Sequence, residues 1–291
     1  SGSIYCYYNA GTPTGGTETI SNNNFSNISV TGTSSLYGIY SSSALAQNRV
    51  CNNNTISNLV GGTGSCYPLY LLSSLSNQIN NNSVSNVTTG GLFYGLYFSG
   101  TTPTVYENTI YNVTSSGTTY VIYNAGTGTT LLYRNKVSNI TNNSTTAALY
   151  GIYATTGTSN NIYNNFVSEL YAPNLSSTTI NLTGIYISAG TAMGVFYNTV
   201  YLDATGTGTN FGSSALYAST TPSVELRNNI LINNSTPNGS GIAVAYRRSS
   251  TTIGTYSANS NNNDFYAGTP GASNLIFYDG TTSYQTITDF K

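Results

Sequence analysis

A tyrosine recurs every 26 to 33 residues along this chain, at Tyr8, Tyr40, Tyr70, Tyr97, Tyr123, Tyr153, Tyr186, Tyr217, Tyr246 and Tyr278. Between these sits an asparagine two places before an apolar residue: Asn23, Asn54, Asn82, Asn108, Asn135, Asn165, Asn198, Asn228 and Asn263 precede Phe25, Ile56, Val84, Ile110, Val137, Val167, Val200, Ile230 and Phe265. Two interleaved ladders with one period describe units that bury their apolar face only against their neighbours, which is a solenoid. Such a molecule grows by adding turns, so residues 1–291 are read as one domain.

Within each repeat the pattern alternates. Ile185-Tyr186-Ile187 and Leu96-Tyr97-Phe98 put two apolar residues on one face and the tyrosine on the other, so the ladder tyrosines are expected to point outward. In Asn108-Thr109-Ile110 the same test turns the asparagine and the apolar residue inward and the middle residue outward. That middle position reads Asn24, Thr55, Ser83, Thr109, Lys136, Phe166, Thr199, Asn229 and Asp264. Each turn is thus expected to hold two short strands separated by Gly, Ser, Thr and Asn turns. Leucine-rich repeats need more leucine per turn, and propeller blades about 40 residues or more. The remaining architecture is all-β: a right-handed parallel β-helix of about nine to ten turns, each adding about 4.8 Å. Inward asparagines would stack as an amide ladder and fix the register.

Composition narrows the function classes. Charged residues are 5% of the chain, with seven Lys and Arg in all and a formal net charge of −1. Nucleic-acid binding needs clustered cations, so no nucleic-acid partner is expected. Arg247-Arg248 is the one adjacent basic pair. There is no histidine, which excludes His-based catalysis or metal binding. Neither a cofactor nor a metal is expected. No apolar run reaches the length of a membrane span, and no insertion is expected. The opening Ser1-Gly2-Ser3 lacks the marks of a signal peptide, which suggests a mature or excised segment. Cys6, Cys51 and Cys66 have no CxxC spacing; they read either as three buried small residues or as a Cys51–Cys66 bridge with one thiol over.

Candidate chemistry is sparse. Glu107 and Arg134 occupy one position of neighbouring turns, with Lys136 beside them, and Glu225 and Arg227 share a strand face. Both read first as surface ion pairs. No two acidic residues share a motif position on adjacent turns, so hydrolysis by paired carboxylates has no support here. The outward tyrosines Tyr40, Tyr70, Tyr97, Tyr123, Tyr153, Tyr186 and Tyr217 form a column that could stack on sugar rings; the alternative is a self-stacking rib or a face covered by another chain. Asn27-Ile28-Ser29 and Asn139-Ile140-Thr141 match glycosylation sequons, which a chain this rich in Asn, Ser and Thr produces by chance and through its ladder. Turns lengthen after Ile110, and the longest loop, Ser168 to Asn181, is the expected specialised surface.

The repeat Asn-Asn-x-Ile/Val with Leu-Tyr-Gly-Ile-Tyr (Leu36 to Tyr40, Leu149 to Tyr153) resembles the Asn-rich β-helix proteins that Bacteroidetes and related bacteria secrete to the cell surface. The stretches Arg227 to Asn234, Asn261 to Gly268 and Leu275 to Gly280 share that resemblance. It implies an extracellular, adhesin-like protein, cargo of type nine secretion, without catalysis. Its partners would be surface glycans or further copies joined end to end. The rival expectation is a carbohydrate-binding or polysaccharide-cleaving β-helix, pectin-lyase-like. Tyr8-Asn9-Ala10-Gly11-Thr12 repeats Tyr123 to Thr127, so the chain is expected to be a section of a longer polypeptide or fibre, with 281–291 as a C-terminal cap.

Overall fold

The structure is a computed structural model and describes residues 2–42, 47–72, 74–177 and 182–290. It is a parallel β-solenoid of about 9 turns whose strands stack into three sheets. The first sheet has eleven strands, running from Ser3–Asn9 to Asn274–Tyr278 and closing on Ser283–Tyr284, the one antiparallel strand among the described residues. The second has eight, from Thr17–Ser21 to Ser223–Arg227, and the third has ten, from Asn24–Ser29 to Asp264–Tyr266. The turns from Ser3 to Asn233 therefore carry three strands where the sequence pattern suggested two. The extra one, such as Thr104–Tyr106 or Thr129–Tyr133, contributes as little as one inward apolar residue, Val105 or Leu132, and that is too short an alternation to read.

The corners explain the Asn doublets. Asn22, Asn53, Asn81, Glu107, Arg134, Asn164, Tyr197, Asn228 and Asn262 all have φ between 54 and 58°, and each immediately precedes a ladder asparagine. Asparagine is the non-glycine residue best suited to this left-handed region, because its short amide bonds locally. The chain turns there, and the next side chain enters the core.

That side chain is fully used. The Asn135 Oδ1 accepts the backbone N–H of Asn108 at 3.1 Å and its Nδ2–H at 3.0 Å, while the Asn135 Nδ2 donates to Asn165 Oδ1 and to the Val105 carbonyl, both at 3.0 Å. The same pattern links Asn23, Asn54, Asn82, Asn108, Asn135, Asn165, Asn198, Asn229 and Asn263. Asn229, not Asn228, is thus the eighth rung. Asn228 is the left-handed corner, Ile230 faces out and Leu231 faces in. In Asn228-Asn229-Ile230-Leu231 both frames satisfy the two-residue spacing, so alternation alone could not choose between them.

The core is a continuous column of Ile, Leu, Val and Phe down the axis. Cys51 and Cys66 lie in it as free thiols, Cys66 between Leu36 and Phe93, and Cys6 is also free. This rules out the Cys51–Cys66 bridge, because each thiol takes an inward strand position of its own. Burial pushes the thiols of Cys51 and Cys66 up to about 12. At the far end Phe290, in the short helix Ile287–Phe290, packs on Phe277 at 4.5 Å, with Tyr284, Phe265 and Tyr256 around it.

Candidate functional site

Three features stand apart from the repeat: an aromatic ribbon, a buried ion pair, and a groove where the outward residues change character.

The ribbon is built by the first sheet. Tyr8, Tyr40, Tyr70, Tyr97, Tyr123 and Tyr153 face outward and half-buried, except Tyr8, which is exposed, and a second column lies three residues earlier: Tyr5, Tyr37, Tyr67, Tyr94, Tyr120 and Tyr150. Strand burial runs B-i-B-B-i-B, as in Leu149–Ala154, so alternation slips by one between the two tyrosines and brings both to the same face. Rings of successive turns stack at 4.5 to 5.8 Å, Tyr97 on Tyr123 at 5.0 Å for example. Thr183 takes the next place in the second column, and both columns converge on Tyr186, followed by Tyr217. The ladder position after Tyr217 is Arg247; Tyr246 points into the core between Leu216 and Phe277 and is fully buried. Tyr246 therefore leaves the column, and Arg247 links Tyr217 to Tyr278.

Stacking has a chemical consequence. Along the columns the ring faces are taken by the neighbouring rings, which leaves edges and hydroxyls to the solvent. A sugar ring stacks on a face, so Tyr40 to Tyr217 offer no free platform within the column. Burial, then the neighbouring phenols, pushes Tyr70, Tyr120 and Tyr186 up to about 12.

The buried pair had gone unread. Arg49 Nε meets Glu18 Oε2 at 2.9 Å, with Arg49 wholly inside. The other Glu18 oxygen accepts Tyr7 OH at 3.0 Å and Asn9 Nδ2 at 2.7 Å, Ser41 Oγ donates to Oε2 at 2.7 Å, and Arg49 reaches Asn77 Oδ1 at 2.9 Å. Burial raises the Glu18 pKa, but the bonds from Ser41, Asn9 and Arg49 and the Arg49 charge outweigh it and hold the carboxyl below its usual value. Counting back two residues from Ile20 and from Cys51 would have found both as inward positions. The surface pairs stand where the spacing put them, Arg134–Glu107 at 3.3 Å and Arg227–Glu225 at 2.7 Å.

The groove lies on the third sheet. Its outward positions are mostly polar at first, with Ser26, Ser57 and Ser83, and a second, exposed ladder runs beside them. Asn58, Asn86, Asn112 and Asn139 each donate Nδ2 to the previous Oδ1, starting at Asn27, over 2.7 to 3.2 Å, and all five have left-handed φ. Asn27 and Asn139, the sequon asparagines, are thus rungs of this ladder. It ends at Glu169, which takes the same left-handed corner with φ 54°. There the outward residues turn apolar: Phe166 is 42% exposed, Tyr171 37% and Tyr201 38%. A cavity of about 390 Å³ is lined by Lys136, Phe166, Glu169, Thr199, Tyr201 and Ile232. Partial burial, then the charges of Glu169 and Asp203, raises the Tyr171 pKa. Tyr201 OH lies 3.5 Å from Asp203 Oδ2. Of the loop Ser168 to Asn181, residues 178–181 lie outside the described residues; Leu170–Tyr171 rejoins the third sheet, and Ala172 and Leu175 fold into the core.

Among the described residues no three His, Cys, Asp or Glu side chains cluster as metal ligands, and no helix is long and apolar enough to cross a membrane. No family model matches the chain, and comparisons with curated proteins and with solved structures return no match.

Proposed function

We propose that the chain is a non-catalytic structural or adhesive β-helix protein of the cell exterior, as its resemblance to secreted Asn-rich surface proteins implies. The observation that carries this reading is how much of the repeat is committed to register. Inner amides, outer amides and tyrosine rings all bond to their own kind one turn away, as suits a rod that must hold its shape outside the cell.

A second reading, carbohydrate binding, is favoured by the groove. Phe166, Tyr171 and Tyr201 are exposed and no aromatic partner covers them among the described residues, while Glu169, Asp203 and Lys136 supply charge for sugar hydroxyls. In this account adhesion uses the groove and the ribbon braces it. Binding to immobilised glycans should weaken by about tenfold or more in Tyr201→Ala and Phe166→Ser, on loss of one ring contact each. The melting temperature should stay near wild type. Unchanged binding in both variants would remove the groove from the account.

A further inference from the structure

On two of the sheets an aromatic column on the outside of the solenoid takes in an arginine. On the second sheet Tyr106, Tyr133 and Tyr163 stack at 5.0 and 4.8 Å, Phe196 follows in register, and the Arg227 guanidinium sits 4.7 Å from the Phe196 centroid. On the first sheet Arg247 lies 5.0 Å from the Tyr217 centroid and 5.1 Å from that of Tyr278. The two arginines do the same work through their faces, as cation–π rungs.

They differ in the guanidinium plane. Arg227 Nε has Glu225 Oε1 at 2.7 Å. Arg247 has no carboxylate within ion-pair distance among the described residues, and its Nε–H is shut off from solvent without an acceptor. Burial lowers the Arg247 pKa, and the groups that oppose this are the phenols of Tyr217, Tyr278 and Tyr186. Stacking occupies the faces of a guanidinium and leaves its five in-plane N–H donors to be met in other ways. Arg247 lines a cavity of about 180 Å³ together with Gly212, Ser240, Gly241, Tyr278 and Ser283. Ligand pockets for drug-sized molecules usually exceed roughly 300 Å³, so this one suits a small head group.

We propose that this cavity binds a carboxylate carried by a ligand, held by the Nη donors of the Arg247 guanidinium. A planar carboxylate matches the guanidinium fork. The site is on the first sheet and does not depend on the groove or on the adhesive reading.

The test follows arginine Nε–H resonances of the ¹⁵N-labelled protein during titration with sodium acetate, sodium sulfate and sodium chloride at matched ionic strength. Acetate should shift one resonance saturably, the one missing in Arg247→Gln, while the Arg227 resonance stays in place and reports that the fold is intact. Arg247→Lys keeps the charge but lacks the fork, and should weaken acetate binding by about tenfold or more. An unsaturable shift, an equal response to chloride, or the same acetate response in Arg247→Gln would overturn the proposal. Tighter binding of sulfate than of acetate would overturn the assignment to a carboxylate.

Discussion

At the scale of the residue, the inner asparagine is the most committed side chain in the molecule. Asn135→Ala leaves the Asn108 N–H, one Asn108 Nδ2–H and the Val105 carbonyl without their partner. Each buried orphan costs about 1–3 kcal/mol, so the substitution should lower stability by roughly 3–5 kcal/mol in a denaturant titration. Asn229→Ala should cost a similar amount. Asn228→Gly, at the left-handed corner, should cost little, and the opposite ranking would restore Asn228 to the ladder. Glu18 is the second such residue. A carboxylate with a lowered folded pKa contributes stability above the ordinary carboxylate range and loses it as pH falls through the folded value. Acid should therefore loosen the N-terminal turns. Glu18→Gln should remove that part of the pH dependence while costing about 3–5 kcal/mol at neutral pH, because the buried Arg49 charge is no longer balanced by a carboxylate. A Glu18→Gln stability curve that still falls through the same acid window would show that another group carries the effect.

At the scale of the element, the ribbon behaves as one titrating surface. Ionising one phenol places a charge against its stacked neighbours, so the column resists deprotonation beyond what burial alone would do. Raised folded pKa values contribute stability that is complete below the ordinary tyrosine value of 10.0 and is lost as pH rises through about 12. An alkaline absorbance titration should show an early class, with Tyr70, Tyr120 and Tyr186 in a late one that ionises as the fold gives way. A single class at the ordinary value would contradict the stacked ribbon. The repeat made one column legible, because Ile185-Tyr186-Ile187 alternates cleanly. It hid the second, because Tyr150-Gly151-Ile152-Tyr153 places its outward residues three apart and breaks the alternation that reveals strands. Tyr246 misled for the same reason in reverse. It keeps the spacing of the column but stands one place before Arg247, and one residue along a strand is the difference between the surface and the core.

At the scale of the whole molecule, period and composition were enough for a parallel solenoid with an inward amide ladder, since identical units can bury their apolar faces only on one another. The groove was not legible in this way. Glu169 and Tyr201 come from different motif positions, and the groove they line arises where the outer ladder stops at Glu169 and the chain after it re-enters the third sheet. Repeats advertise what every turn shares; a site belongs to one turn. The central claim, an adhesive rod without catalysis, is tested most directly by incubating the protein with a panel of neutral and acidic polysaccharides and following retention and chain cleavage in the same samples. The account predicts retention on at least one polysaccharide, weakened in Tyr201→Ala, with no new chain ends from any. Cleavage by the wild type that is abolished in Glu169→Gln or Asp203→Asn, or in Glu107→Gln or Glu225→Gln, would contradict it.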